Sequence, residues 1–228
     1  RENTKFERIT GRNTINKASK PRLRFSLLPS GYVITNAIKF IIIKEKSIHK
    51  FYLIALLNSK VLNWRFELFS TQNNIRNYEV EALPIPRIPL EEQKPFIILA
   101  KYMLFLKQYY NYFAKDDRHL QYIIDYFDNL IDCLVYELYL GDIVKIPIKP
   151  LVESKLKDID LPDNLLEEDR NVDRVVQRVK VLEWDPKPLP KQPENAYIIN
   201  TKARVQTVLK RMVKGRGELS LIHISEPT

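Results

Sequence analysis

The chain has 228 residues, 45% of them hydrophobic, with 37 Lys/Arg against 28 Asp/Glu for a net charge of +9, and one cysteine, Cys133. That length can bury one large core or two small ones. No apolar run approaches the roughly 20 residues needed to cross a bilayer, and a lone cysteine excludes an internal disulfide framework and is compatible with a reducing cytosol.

The positive charge is segregated. Residues 1–90 hold 16 Lys/Arg against 6 Glu and no Asp, whereas the remainder holds 21 against 22. Segregation on this scale points to a polyanion partner, and nucleic acid is the commonest. The plain alternative is a solvated surface, because a sequence does not say which faces carry the charge.

Taken in chain order, the pattern predicts an α+β protein: a small mixed α/β domain, then a long-helix hairpin, then a charged and mostly helical C-terminal region. The stretch GRNTINKASKPRLR, residues 11–24, carries Arg12, Lys17, Lys20, Arg22 and Arg24 with almost no apolar content. It reads equally as a flexible solvated arm or as a phosphate-contacting one. RLRFSLL, GYVIT and KFIIIK are short β-rich runs separated by the turn residues Pro29-Ser30-Gly31 and Asn36-Ala37. Ser47 is the expected N-cap of an amphipathic helix over 49–69, in which Leu53, Leu56, Leu57, Val61, Trp64 and Leu68 recur at helical spacing. Its other face is expected to show Asn58, Lys60, Asn63 and Arg65.

The polar run STQNNIRNYEV then predicts a loop followed by a short strand. Within it, Gln72, Asn73, Asn74, Arg76 and Asn77 form a chemically suitable base-reading set. Gln and Asn can pair bidentately with adenine's major-groove edge, and Arg with guanine's. The other reading is an ordinary surface loop, since Asn is a common turn residue. The strap ALPIPRIPLEEQ follows, and its prolines cannot sit in a helix interior or a central strand. Glu91 and Glu92 mark the first turn of a new helix, where the dipole favours acids. Helices are expected over about 91–114 and 119–140, burying a seam that includes Phe96, Leu99, Met103, Leu106 and Tyr110 on one and Ile123, Phe127, Leu130, Leu134 and Leu138 on the other. Cys133 lies in this apolar run and reads as a small buried hydrophobe. Beyond Pro147 the pattern predicts helices near 150–158, 163–182 and 200–214, the last two joined by the connector WDPKPLPKQP.

The last ten residues, LSLIHISEPT, resemble the in-frame translation of a transposon-end adapter used to prepare sequencing libraries. On that reading residues 219–228 carry no function, His223 belongs to no site, and the chain is a fragment of a longer protein.

Together, ALLNSKVLNWRFELFSTQNN and YEVEALPIPRIPLEEQKPFIILAKYMLFLK are similar to the TaqI-like C-terminal specificity domain. That domain is the target-recognition part of adenine-specific DNA methyltransferases and of fused type IIG restriction–modification enzymes. The resemblance covers roughly residues 5–140, including LIDCLVYELYL, and does not extend past about 160. It implies a DNA target-recognition domain over 1–90, a helical support over 91–145 and a region of unassigned role over 146–218. It further implies duplex DNA as partner, an upstream methyltransferase domain of the same chain, no membrane, and a prokaryotic cytoplasm. The candidate DNA-contacting residues are Arg12, Lys17, Lys20, Arg22, Arg24, Lys60, Arg65, Gln72, Asn73, Asn74, Arg76 and Asn77.

An adenine-N6 methyltransferase also needs a loop of the Asn/Asp-Pro-Pro-Tyr kind and a Gly-rich loop for S-adenosylmethionine. This chain has no Pro-Pro pair and five glycines. Catalysis and its cofactor are therefore expected upstream, and neither a catalytic residue, a cofactor nor a metal is assigned here. Two alternatives stand beside this reading. A type I restriction specificity subunit would show a second recognition domain and strap, and an interaction module binding an acidic protein would show no salt-sensitive DNA binding.

Overall fold

A computed structural model describes residues 5–113, 118–141, 148–156 and 222–225. These fall into two compact units, one running up to Ile97 and including residues 222–225, the other beginning at Ile98. Both strands and helices are present, so the α+β class holds.

The first unit is built on an antiparallel sheet of β1 (Arg8–Arg12), β2 (Phe25–Leu28), β3 (Ile38–Ile43) and β4 (Ile222–Ser225), in the order β2-β1-β3-β4. β1 is central, with Ile9 opposite Leu27 on one side and Ile41 on the other. Register places Ile9, Gly11, Phe25 and Ile41 on one face, and all are buried. Gly11 is required there, since an added Cβ would lie 2.6 Å from the Phe25 ring. GYVIT forms no strand: Gly31 takes a positive φ of 91°, and Tyr32 and Val33 are exposed. β4 lies within the adapter-like tail, and its pairing with β3 is of the backbone kind that an extended segment of any sequence supplies.

The helix expected over 49–69 is two helices, α1 (Lys50–Asn58) and α2 (Lys60–Glu67). Ser59 divides them. Its backbone is extended, its hydroxyl donates to the Leu56 carbonyl at 2.6 Å, and it accepts from the Leu62 N–H at 3.3 Å. One serine thus closes one helix and caps the next. The cap of α1 is His49 rather than Ser47: its Nδ1 accepts from the Phe51 N–H at 3.3 Å. Phe51 to Leu57 are all buried, so α1 has no solvent face over that stretch.

The short strand expected before the strap is instead a helix, α3 (Asn77–Glu81), whose start is fixed by the Glu79 carboxylate accepting from the Arg76 N–H at 2.7 Å. The strap itself is bolted to α1. Leu83 and Ile85 are buried, and the Tyr52 hydroxyl donates to the Pro86 carbonyl at 2.9 Å. Burial, then the nearby Glu92 carboxylate, pushes the Tyr52 phenol well above its usual range. Gln93 is fully buried. Its amide nitrogen donates to the Ser47 and Ile88 carbonyls at 2.6 and 2.9 Å, and its oxygen accepts from the His49 N–H at 2.9 Å. The glutamine that ends LPIPRIPLEEQ is therefore a structural clamp between strap and α1.

α4 (Leu90–Phe113) starts in the first unit, tolerates Pro95 in its second turn, and continues into the second. The second unit also holds α5 (Arg118–Leu140) and α6 (Lys149–Leu156). The Tyr102 and Phe127 rings of α4 and α5 meet with centroids 5.3 Å apart, and Leu99, Leu106, Leu130 and Leu134 are buried at helical spacing. Cys133 is half-buried rather than enclosed. Glu137 accepts from the Ile148 and Lys149 N–H groups at 2.8 and 3.1 Å, which fixes the start of α6. The helices expected near 163–182 and 200–214 lie outside the described residues.

Candidate nucleic-acid interface

The segment 11–24, for which a flexible arm is one of two sequence readings, is pinned to the amide-rich loop. The Ile15 N–H donates to the Asn73 carbonyl at 2.9 Å, and the Ile75 N–H donates to the Asn13 carbonyl at 2.8 Å. Ile15 and Ile75 are 7% and 2% exposed, so each polar segment drives in one apolar anchor. Side chains lace the same seam. The Lys17 N–H donates to Asn73 Oδ1 at 2.9 Å, and the Thr14 hydroxyl donates to Asn74 Oδ1 at 2.9 Å. Asn13 ties the arm to the turn before β3 through the Ala37 and Asn36 carbonyls, at 2.8 and 3.1 Å. A flexible arm pays ordering entropy on binding, and a pinned one has already lost it.

The surface so formed exposes Arg12, Lys17, Gln72, Asn73, Asn74 and Arg76. Arg12 ends β1, and Arg76 precedes α3 with its guanidinium donating to Gln72 Oε1 at 2.8 Å. Asn77 is half-buried, and its oxygen accepts from Lys39 Nζ at 2.6 Å. Lys20, Arg24 and Lys60 are exposed as well. Lys20 pairs with Glu67 at 2.9 Å, an exposed contact worth little. Arg24 folds back onto the Pro21 and Lys20 carbonyls at 3.1 and 3.4 Å.

Two expected DNA contacts are internal instead. Arg22 is 1% exposed; it donates to the Ser70 carbonyl at 2.7 Å and to the Gln72 carbonyl, and stacks 5.0 Å from the Phe66 ring centre. Its role is to hold the start of the amide loop against α2. Arg65 is 8% exposed, with its guanidinium 4.7 Å from the Phe69 ring centre. Asn58 and Asn63, expected on an outward face, also turn inward. Asn58 Oδ1 accepts from the Phe25 N–H at 2.8 Å while its nitrogen donates to the Phe25 carbonyl at 2.9 Å. Asn63 does the same at Leu23, at 2.6 and 3.4 Å.

The residues missed by sequence reasoning are Asn13, Thr14 and Ile15, which build the seam. Their signal was present: Ile15 and Ile75 are lone isoleucines in otherwise polar runs.

The arrangement is an ordered, cationic, amide-bearing strip with buried supports, chemistry suited to phosphates and base edges. Residues 2–89 match the family model of the TaqI-like C-terminal specificity domain. The matched segment contains β1–β3, α1–α3, the pinned arm and the amide loop, and it ends before α4. It is narrower than the span to about residue 140 read from sequence. Over residues 2–89 the chain is thus similar to that specificity domain, a likeness that points to DNA recognition. No curated protein and no solved structure matches the chain. Among the described residues, no helix is long and apolar enough to cross a membrane.

Proposed function

We propose that the TaqI-like domain reads duplex DNA for a site-specific adenine-N6 methyltransferase of a restriction–modification system. It grips the duplex so that an adenine can be flipped into the pocket of a catalytic domain of the same protein. The observation that carries this reading is the seam between arm and loop. It presents Arg12, Lys17 and Arg76 beside three exposed carboxamides on one ordered strip. In this role Arg12 and Lys17 contact phosphates and set affinity, and the loop approaches base edges and sets specificity.

Methyl transfer would draw on S-adenosylmethionine, and the described residues of this unit do not fit it. The space a Cβ would take at Gly11 is filled by the Phe25 ring, and Gly31 sits on an open turn with nothing within 4 Å, so neither glycine forms a cradle. The cofactor and the transfer step are therefore assigned to the catalytic domain.

Fluorescence anisotropy of the full chain with a random-sequence duplex, titrated across salt, tests the reading. Binding should weaken linearly in log–log form, and Arg12→Ala and Lys17→Ala should each lower the slope by about 1. An absence of binding at low salt would overturn it and favour an acidic protein partner.

A further inference from the structure

The four carboxamides between Gln72 and Asn77 are oriented alike. Gln72 Oε1 accepts from Arg76, Asn73 Oδ1 from the Lys17 N–H, Asn74 Oδ1 from the Thr14 hydroxyl, and Asn77 Oδ1 from Lys39 Nζ, at 2.8, 2.9, 2.9 and 2.6 Å. At Asn73 the donor is a backbone N–H, which requires the oxygen and not the nitrogen to face it. The ends of Gln72, Asn73 and Asn74 that remain to donate are thus their NH2 groups, beside a guanidinium that carries donors only. Bidentate pairing with adenine needs a carboxamide's oxygen and nitrogen side by side, the oxygen taking the N6 proton. Here each of these oxygens already accepts from a neighbouring group of the same chain. Guanine's O6 and N7 are both acceptors and ask nothing of those oxygens, and phosphate oxygens share that property.

Resting on the DNA-reading assignment above, we infer that Arg76, steadied by Gln72, is a specificity-determining residue that reads a guanine in the recognition sequence. The amide nitrogens of Asn73 and Asn74 donate to acceptors flanking it. Arg76 is exposed, and Gln72 stands four residues before it with its backbone carbonyl held by buried Arg22. The guanidinium therefore springs from a braced base, which a residue meant only for diffuse charge would not need.

The probe is a random-sequence duplex library incubated with the full chain, the bound fraction being sequenced for wild type, Arg76→Ala and Arg76→Lys. Wild type should enrich a motif with a guanine favoured about 5- to 150-fold over other bases at one position, the span of a good bidentate contact. Arg76→Ala should erase that preference and leave other positions standing. Arg76→Lys, which keeps the charge, should retain the salt slope and still lose most of the preference. Uniform weakening by Arg76→Ala, with any motif unchanged, would assign Arg76 to a phosphate and overturn this inference while leaving DNA binding intact. Salt-sensitive binding with no enriched guanine would overturn it equally. No binding by wild type would remove the DNA-reading assignment itself.

Discussion

Asn58 and Asn63 on the helices and Asn73 and Asn74 on the loop are the same side chain in two states. The helical pair engage both ends. Each carboxamide takes the N–H and the C=O of one residue, Phe25 at the start of β2 or Leu23 just before it, as a neighbouring strand would. The loop pair engage only their oxygens. A carboxamide with both ends satisfied inside the protein is architecture, and one with its nitrogen left outward is available to a ligand. Residue type does not separate the two, and neither does local spacing; the partner at each end does.

That contrast can be broken at its strongest point with Arg22→Ala. The substitution removes a buried guanidinium, leaves the Ser70 and Gln72 carbonyls without it, and opens space against Phe66. A loss of about 3 kcal/mol in chemical denaturation is expected, with DNA affinity falling only as the loop start loosens. Asn63→Ala should cost about 2 kcal/mol, because the Leu23 N–H is buried with the side chain that satisfies it. Tyr52→Phe extends the rule to a hydroxyl and should cost about 1 kcal/mol at neutral pH through the lost bond to Pro86.

Tyr52 also carries a pH signature. Its folded pKa lies above the unfolded value, so the stability tied to the protonated phenol is complete below about pH 10 and is lost as pH climbs beyond it. The Phe variant should lack that contribution to the alkaline loss in pH-dependent denaturation. At the small end, Asn74→Ala should change stability by no more than about 0.5 kcal/mol while still weakening DNA binding. Equal stability losses at Asn63 and Asn74 would erase the distinction.

Much of the architecture was legible because it rests on periodicity. α4 and α5 are within a residue or so of the ranges read from their apolar stripes, β2 lies in RLRFSLL, and β3 is shifted by one residue from KFIIIK. β1 escaped notice because ERITGR has one apolar residue, and its burial comes from strands paired on both sides. The break at Ser59 was hidden because the apolar spacing continues through it. Local hydrogen bonds, not hydrophobic pattern, divide the two helices. α3 replaced an expected strand because Glu79 reaches back to the Arg76 N–H, a three-residue capping relation inside what looked like an extended run. At the interface, composition located both polar segments but could not pair them, since their seam joins residues about sixty apart. Nor could it tell Arg22 from Arg24, whose difference in burial is set by a ring and two carbonyls far along the chain.

The pairing of residues 222–225 along β3, from Ile43 back to Phe40, has a colloidal consequence. A shortened chain that stops before residue 222 would lose this partner along IKFIII, a run with four isoleucines or phenylalanines in succession. Such a run invites the same strand of another molecule, so that version should self-associate with rising concentration until another extended segment covers it.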